Sequence, residues 1–141
     1  MKIENTNISI KNKPFIIAEL SGNHKGSLKR AIAIIKKAHK AGVCAVKLQS
    51  FDLNEMTINS KIKNFTVNDK NSLWFKKSLY ELYKEAQTPK NWHEPIFKFC
   101  KKIGLICFSS VFDLKSLKML EKLNTPAYKI ASFEINYCKT W

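Results

Sequence analysis

Four short apolar runs limit most strongly what this chain can become. They are FIIAE at 15–19, CAVKLQ at 44–49, LICFS at 105–109 and AYKIA at 127–131. Runs of this length bounded by turn residues read as buried strands. The segments between them carry apolar residues at helical spacing. A strand–helix alternation of this kind implies parallel strands joined by crossovers. Polar residues gather at the far end of each run: Glu19; Lys47 and Gln49; Ser109 and Ser110; Lys129, Ser132 and Glu134. The carboxyl ends of parallel strands are where barrels and open α/β sheets place their sites.

The connecting segments carry their own signals. Ser27 is a plausible N-cap for a helix at 27–41, with Leu28, Ile32, Ile35 and Ala38 on one face and Gly42 as its stop. Residues 51–71 show no clear period, and a stretch of that length in a compact domain is usually functional or mobile. A helix is expected at 72–86, with Phe75, Leu79, Leu82 and Ala86 on one stripe. Thr88 reads as a cap, followed by Pro89 at the first position of a helix reaching Ile103. In that helix Trp92, Ile96, Cys100 and Ile103 face inward. Asp113 caps a short helix bearing Leu114, Leu117, Leu120 and Leu123. Residues 1–13 alternate isoleucines with polar residues and read as a hairpin.

SGNHKG, after the first run, lacks the glycine spacing of a dinucleotide fingerprint. A (β/α)8 barrel needs about 250 residues, and this chain has 141. The expected fold class is therefore α/β, a partial (β/α)8 barrel of about four units preceded by the hairpin. Both outermost strands then need cover.

The net charge of +14 is almost all lysine, with Arg30 the only arginine. Base readers rely on arginine for bidentate contacts. The lysines are spread over helix faces, as in Lys36, Lys37 and Lys40, which reads as a solvated surface rather than a nucleic-acid footprint. Such an excess favours small anions weakly. No run of about 18 apolar residues exists, so no membrane span is expected. The N-terminus has no signal-like core, and the expected location is cytoplasmic. Cys44, Cys100, Cys107 and Cys138 are not spaced as zinc ligands and read as thiols, Cys44 and Cys107 as small buried hydrophobes.

The segments IIAELSGNHKGS, AVKLQSF, LYELYKEAQTPKNWHEPIF, GLICFSSVFD and PAYKIASFE occur in this order. Together they resemble the N-terminal half of the sialic acid synthase family. The first and third point to its pseudaminic acid synthase branch. The resemblance covers roughly residues 14–135, leaving 1–13 as the hairpin and 136–141 as a divergent tail. It implies a TIM-barrel enzyme that condenses phosphoenolpyruvate with an N-acetylated amino-sugar aldehyde, giving a nonulosonic acid and phosphate. It also implies a homodimer and a divalent metal, manganese or magnesium, whose histidine ligands lie in the half of the barrel not seen here.

Carried over by motif, Lys47 and Lys129 match the lysines that hold the phosphate and carboxylate of phosphoenolpyruvate. Ser132 matches a serine on the same ligand, and Ser110 a position that is usually threonine. Gln49 matches a residue near the sugar. Glu19 and Glu134 match the carboxylates beside the reacting carbons. Val111 stands where the family usually has proline, which is expected to loosen that loop. With four strands, the chain reads as a truncated form with an incomplete site. A non-catalytic half-barrel or a self-associating protein stays open as the alternative.

Each candidate also has a plainer reading. A lysine inside an apolar strand is costly unless it is paired or lines a site, which favours function for Lys47 and Lys129. Strand ends often reach water, which weakens Glu19. Asn23 reads as a turn residue, and His24 as turn or ligand contact. His39 reads as surface, and His93 as capping or packing. No histidine pair has metal-ligand spacing. Trp92, Phe97 and Phe99 read as core rather than as a stacking platform.

Overall fold

The structure is a computed structural model and describes residues 1–136; residues 137–141 of the expected tail, with Cys138, lie outside them. A hairpin comes first, with β1 (Lys2–Ile3) antiparallel to β2 (Thr6–Asn7). Then follow β3 (Ile17–Glu19), α1 (Leu28–Lys40), β4 (Ala45–Ser50) and a one-turn α2 (Leu53–Met56). The chain continues through α3 (Leu79–Ala86), α4 (Lys90–Lys102), β5 (Ile106–Val111), α5 (Leu114–Lys122) and β6 (Tyr128–Ile130). A 3-10 turn, Ser132–Asn136, ends the described chain. Among the described residues, no helix is long and apolar enough to cross a membrane.

The large sheet has four strands in the order β3-β4-β5-β6, all parallel. Strand parity gives it two faces. Leu20, just past β3, with Val46, Leu48 and Cys107 from β4 and β5, packs on Ala31 and Ile35 of α1 and on Ile96 and Cys100 of α4. This helix-side face is the core. Ala45, Lys47, Gln49, Phe108 and Ser110 occupy the opposite face. Cys100 and Cys107 are buried free thiols, while Cys44 is only half-buried. A hydrogen bond with Cys100, together with burial, pushes the Cys107 thiol up, consistent with an inert core residue.

Most element signals hold. The Ser27 hydroxyl accepts from the Arg30 amide at 3.2 Å, and Gly42 follows α1 in a left-handed turn at φ +82°. The helix expected at 72–86 begins only at Leu79. Lys76 sits at φ +66°, which no continuing helix can accommodate. Ser78 and Glu81 then form a reciprocal capping box that starts the helix. Leu73 and Trp74, expected within that helix, and Phe75, expected on its apolar stripe, precede it and are exposed. Thr88 does not cap α4; it is buried, its hydroxyl closes no hydrogen bond, and Pro89 takes the cap position. Val111, expected in a loop, lies in β5 instead. A proline there could not donate to the ladder, whereas the valine is the buried last residue of β5, in register with Ser50 and Ile130.

Candidate active site

The polar strand ends converge on one face of the sheet. Lys47 lies beside Glu19 in the β3–β4 register, and Gln49, Ser110 and Lys129 form a single row across β4, β5 and β6. Lys47 and Gln49 share parity, so both lysines belong to the face away from the helices. The Lys47 side chain is 9 % exposed and Glu19 is 60 % exposed. Lys47 Nζ lies 3.1 Å from Glu19 Oε1 and donates to Ser110 Oγ at 3.2 Å. A nearly buried ammonium is thus held by one carboxylate and one hydroxyl. Two acceptors of different charge on one cation, a carboxylate and a hydroxyl, make a site that an anion can enter by displacing the carboxylate.

Lys129 departs from expectation. Among the described residues its strand, β6, pairs only with β5, so it forms an edge, and all three of its residues are exposed. The apolar run around Lys129 does not bury it here. Ser132 is exposed, and half-buried Glu134 follows it in the 3-10 turn beyond β6 rather than on a strand.

The loops at this end of the sheet are firmly tied. Asp113 is buried, and its carboxylate accepts from the Asp52 amide at 2.7 Å, the Ser116 amide at 2.7 Å and the Ser116 hydroxyl at 2.8 Å. One carboxylate therefore caps α5 and clamps the loop after β4. The Phe51 ring stands edge-on to both Tyr83 and Phe112. Lys90 pairs with Asp52 at 2.9 Å, and that hydrogen bond is the chief reason the Asp52 carboxyl lies below its usual range.

Asn23 is the turn residue it was read as, its amide donating to the Leu20 carbonyl at 3.1 Å. His24 is fully buried and edge-on to Trp92, and its Nδ1 accepts from the Gly26 amide. Gly22 packs closely on α3: a Cβ there would lie 3.0 Å from Ala86 Cα, so a larger residue would need that backbone to shift. His93 is also buried, and its ring sits beneath β4 and β5 against Ser50. That contact was not visible in the sequence, since it joins residues 43 positions apart. The Ser50 and Ser109 hydroxyls on an otherwise apolar face were the available hint.

Burial pushes both His24 and His93 below the ordinary histidine pKa, only partly offset by nearby backbone carbonyls. The unfolded chain then binds more protons than the folded one below about pH 6.5, and stability falls as pH drops through that value. The melting temperature is expected to be lower at pH 5.5 than at pH 7.5. His93→Gln should shrink that difference; an equal difference in the variant would assign the dependence elsewhere.

A cleft of about 540 Å3 lies away from these residues, lined by Phe97, Lys101, Leu105 and Pro126. It is at the amino ends of β5 and β6, opposite the polar strand ends. Among the described residues, no group of three or more His, Cys, Asp or Glu could hold a metal ion.

The NeuB family model matches residues 34–140, most of the chain. The chain belongs to the NeuB family. This NeuB-family chain is 46% identical over 130 residues to pseudaminic acid synthase of Campylobacter jejuni, covering 92% of this chain and 37% of that protein. It is 45% identical over 122 residues to pseudaminic acid synthase of Helicobacter pylori, covering 86% and 35% respectively. Among solved structures it resembles an N-acetylneuraminic acid synthetase from Leptospira borgpetersenii, in complex with citrate. There the TM-score is 0.78 at 27% identity, covering 99% of this chain and 43% of that one. The chain thus spans about a third of the length of the curated relatives it matches. Those likenesses bear out the α/β half-barrel architecture and the pseudaminic acid synthase resemblance.

Proposed function

We propose that this chain carries the phosphoenolpyruvate-binding part of a nonulosonic acid synthase. The observation that carries the reading is the Glu19–Lys47–Ser110 contact, with Lys129 in the register row of Ser110 on the same face. Phosphoenolpyruvate is a small, highly charged anion. Two ammonium groups and hydroxyl donors at a partly dry sheet face suit it.

In this reading Lys47 and Lys129 take the phosphate and carboxylate, and Ser110 and Ser132 donate hydrogen bonds. Gln49 faces the sugar. Glu19 or Glu134 stabilises the positive charge that develops when the enol carbon attacks an N-acetylated amino-sugar aldehyde, or takes the proton of the entering water. The C–O bond to phosphate then breaks, leaving a nonulosonic acid. Residues 14–135 act as one unit in this assignment, with 1–13 as a separate hairpin. The manganese or magnesium ion that the resemblance implies finds no ligand group among the described residues. No step here passes through it. A homodimer comes from the same resemblance, and a cytoplasmic location is part of the proposal.

Calorimetric titration of the chain with phosphoenolpyruvate tests the reading. One saturable site is expected, and Lys129→Ala should weaken it about tenfold, less than a buried lysine would, because an exposed charge is screened by water. No heat of binding, or an unchanged affinity in Lys129→Ala, removes the assignment.

One observation favours a second reading, a half-barrel that pairs through its edges. Ile16 and Ile17 beside and in β3, and Tyr128 and Ile130 in β6, are all more than a third exposed. Edge strands with such side chains invite another strand. Light scattering that gives a monomer at high concentration would dismiss self-pairing.

A further inference from the structure

Behind the polar face runs a second polar feature that the proposed chemistry does not use. His93 Nε2 lies 2.7 Å from Ser50 Oγ, and Ser50 Oγ lies 2.6 Å from Ser109 Oγ. All three residues are at most 1 % exposed. They join the first turn of α4 to the last residue of β4 and the third residue from the end of β5. Their setting is the apolar, helix-side face of the sheet.

Proton counting gives this chain a direction. His93 Nδ1 is 3.2 Å from the carbonyl oxygens of Pro89 and Lys90. Carbonyls only accept, so Nδ1 carries the ring proton. In the neutral ring Nε2 is then bare and accepts from the Ser50 hydroxyl. Ser50 has spent its single proton, so at 2.6 Å it is Ser109 that donates to Ser50. The Ser110 carbonyl, 2.9 Å from Ser109 Oγ, cannot have that proton as well. Burial keeps the ring neutral at pH 7.

Stability alone does not call for this arrangement. Apolar residues of the same shape in place of buried hydrogen-bonded partners are often neutral or stabilising. The neighbours Val46, Leu48, Cys107 and Val111 show that the face accepts apolar side chains. The chain does fix direction, because each link tolerates one geometry. Its two serines are the immediate neighbours of Gln49 and Ser110, whose side chains face the other way. Gripping Ser50 and Ser109 from behind therefore fixes the backbone that presents Gln49 and Ser110 to Lys47.

We propose that His93 is a positioning residue. Acting through Ser50 and Ser109, it locks the carboxyl ends of β4 and β5 so that Ser110 meets Lys47 and Gln49 is held beside them. The proposal rests on the anion-site reading above for its functional meaning, and its test separates the two.

Phosphoenolpyruvate is titrated into the chain and into Ser50→Ala, His93→Leu and His93→Gln, with the melting temperature of each recorded. Ser50→Ala and His93→Leu are expected to bind about tenfold more weakly, the cost of one misplaced hydrogen bond. Their melting temperatures should not fall in proportion. In His93→Gln an amide oxygen can still accept from Ser50, and affinity should stay within about twofold. A residue that only packs would give another order, with leucine tolerated and glutamine not. Native affinity in Ser50→Ala and His93→Leu, alongside a loss in Lys129→Ala, overturns the proposal and leaves the anion site standing. If the parent chain binds no phosphoenolpyruvate, the anion site falls, and backbone amide resonances decide the positioning claim. Ser50→Ala then has to shift Lys47, Gln49 and Ser110, and a change confined to the surroundings of Ser50 and His93 overturns it.

Discussion

Lys47→Ala is expected to weaken phosphoenolpyruvate binding by roughly a hundredfold or more, as removal of a desolvated, hydrogen-bonded charge typically does. Three features set that size. Lys47 is nearly buried, so the charge it offers is little screened. It donates to Ser110, so its loss also releases that hydroxyl. It also holds Glu19 at 3.1 Å, and without it a bare carboxylate faces the incoming anion. Stability should change little, because Glu19 is mostly exposed and stays hydrated when its partner goes. Calorimetry and a thermal melt on the same sample check both halves. A variant that binds as tightly as the parent places the anion elsewhere. One that loses binding together with its fold makes Lys47 structural.

Asp113→Ala is expected to cost about 3 kcal/mol of stability, the sum of a lost helix cap and a lost charge-assisted bond to a partly buried loop amide. The carboxylate caps α5 through the Ser116 amide and hydroxyl, and it also holds the Asp52 amide 61 positions away in sequence. Urea unfolding measures the loss. Asp113→Asn should recover part of it, since the amide oxygen still accepts one of these bonds. A cost below about 1 kcal/mol would reduce Asp113 to an ordinary cap.

The sequence carried much of this architecture for identifiable physical reasons. Strand runs and capped helices are local: FIIAE, CAVKLQ and the Ser27 and Asp113 caps depend on residues within a few positions. The site face was legible because parity is local as well, so that Lys47 and Gln49 must share a side. Three things were not legible. The start of α3 turned on Lys76 adopting a left-handed conformation, which composition does not announce. The exposure of Lys129 follows from β6 being an edge, a property of sheet order rather than of the AYKIA run. The role of His93 needed Ser50 and Ser109 brought together from 59 residues apart. Only the Ser78–Glu81 box, an S-x-x-E pattern, gave a local hint of that helix start.

Sheet order and chain order coincide in this molecule, β3 to β6 without a skip. Each new strand docks on the one made just before it, so the sheet can grow vectorially as a nascent polypeptide leaves the ribosome. The Lys47 ammonium has Glu19 within reach as soon as two strands exist, and it acquires Ser110 only when the third arrives. In such vectorial growth the lysine would gain its carboxylate before its hydroxyl.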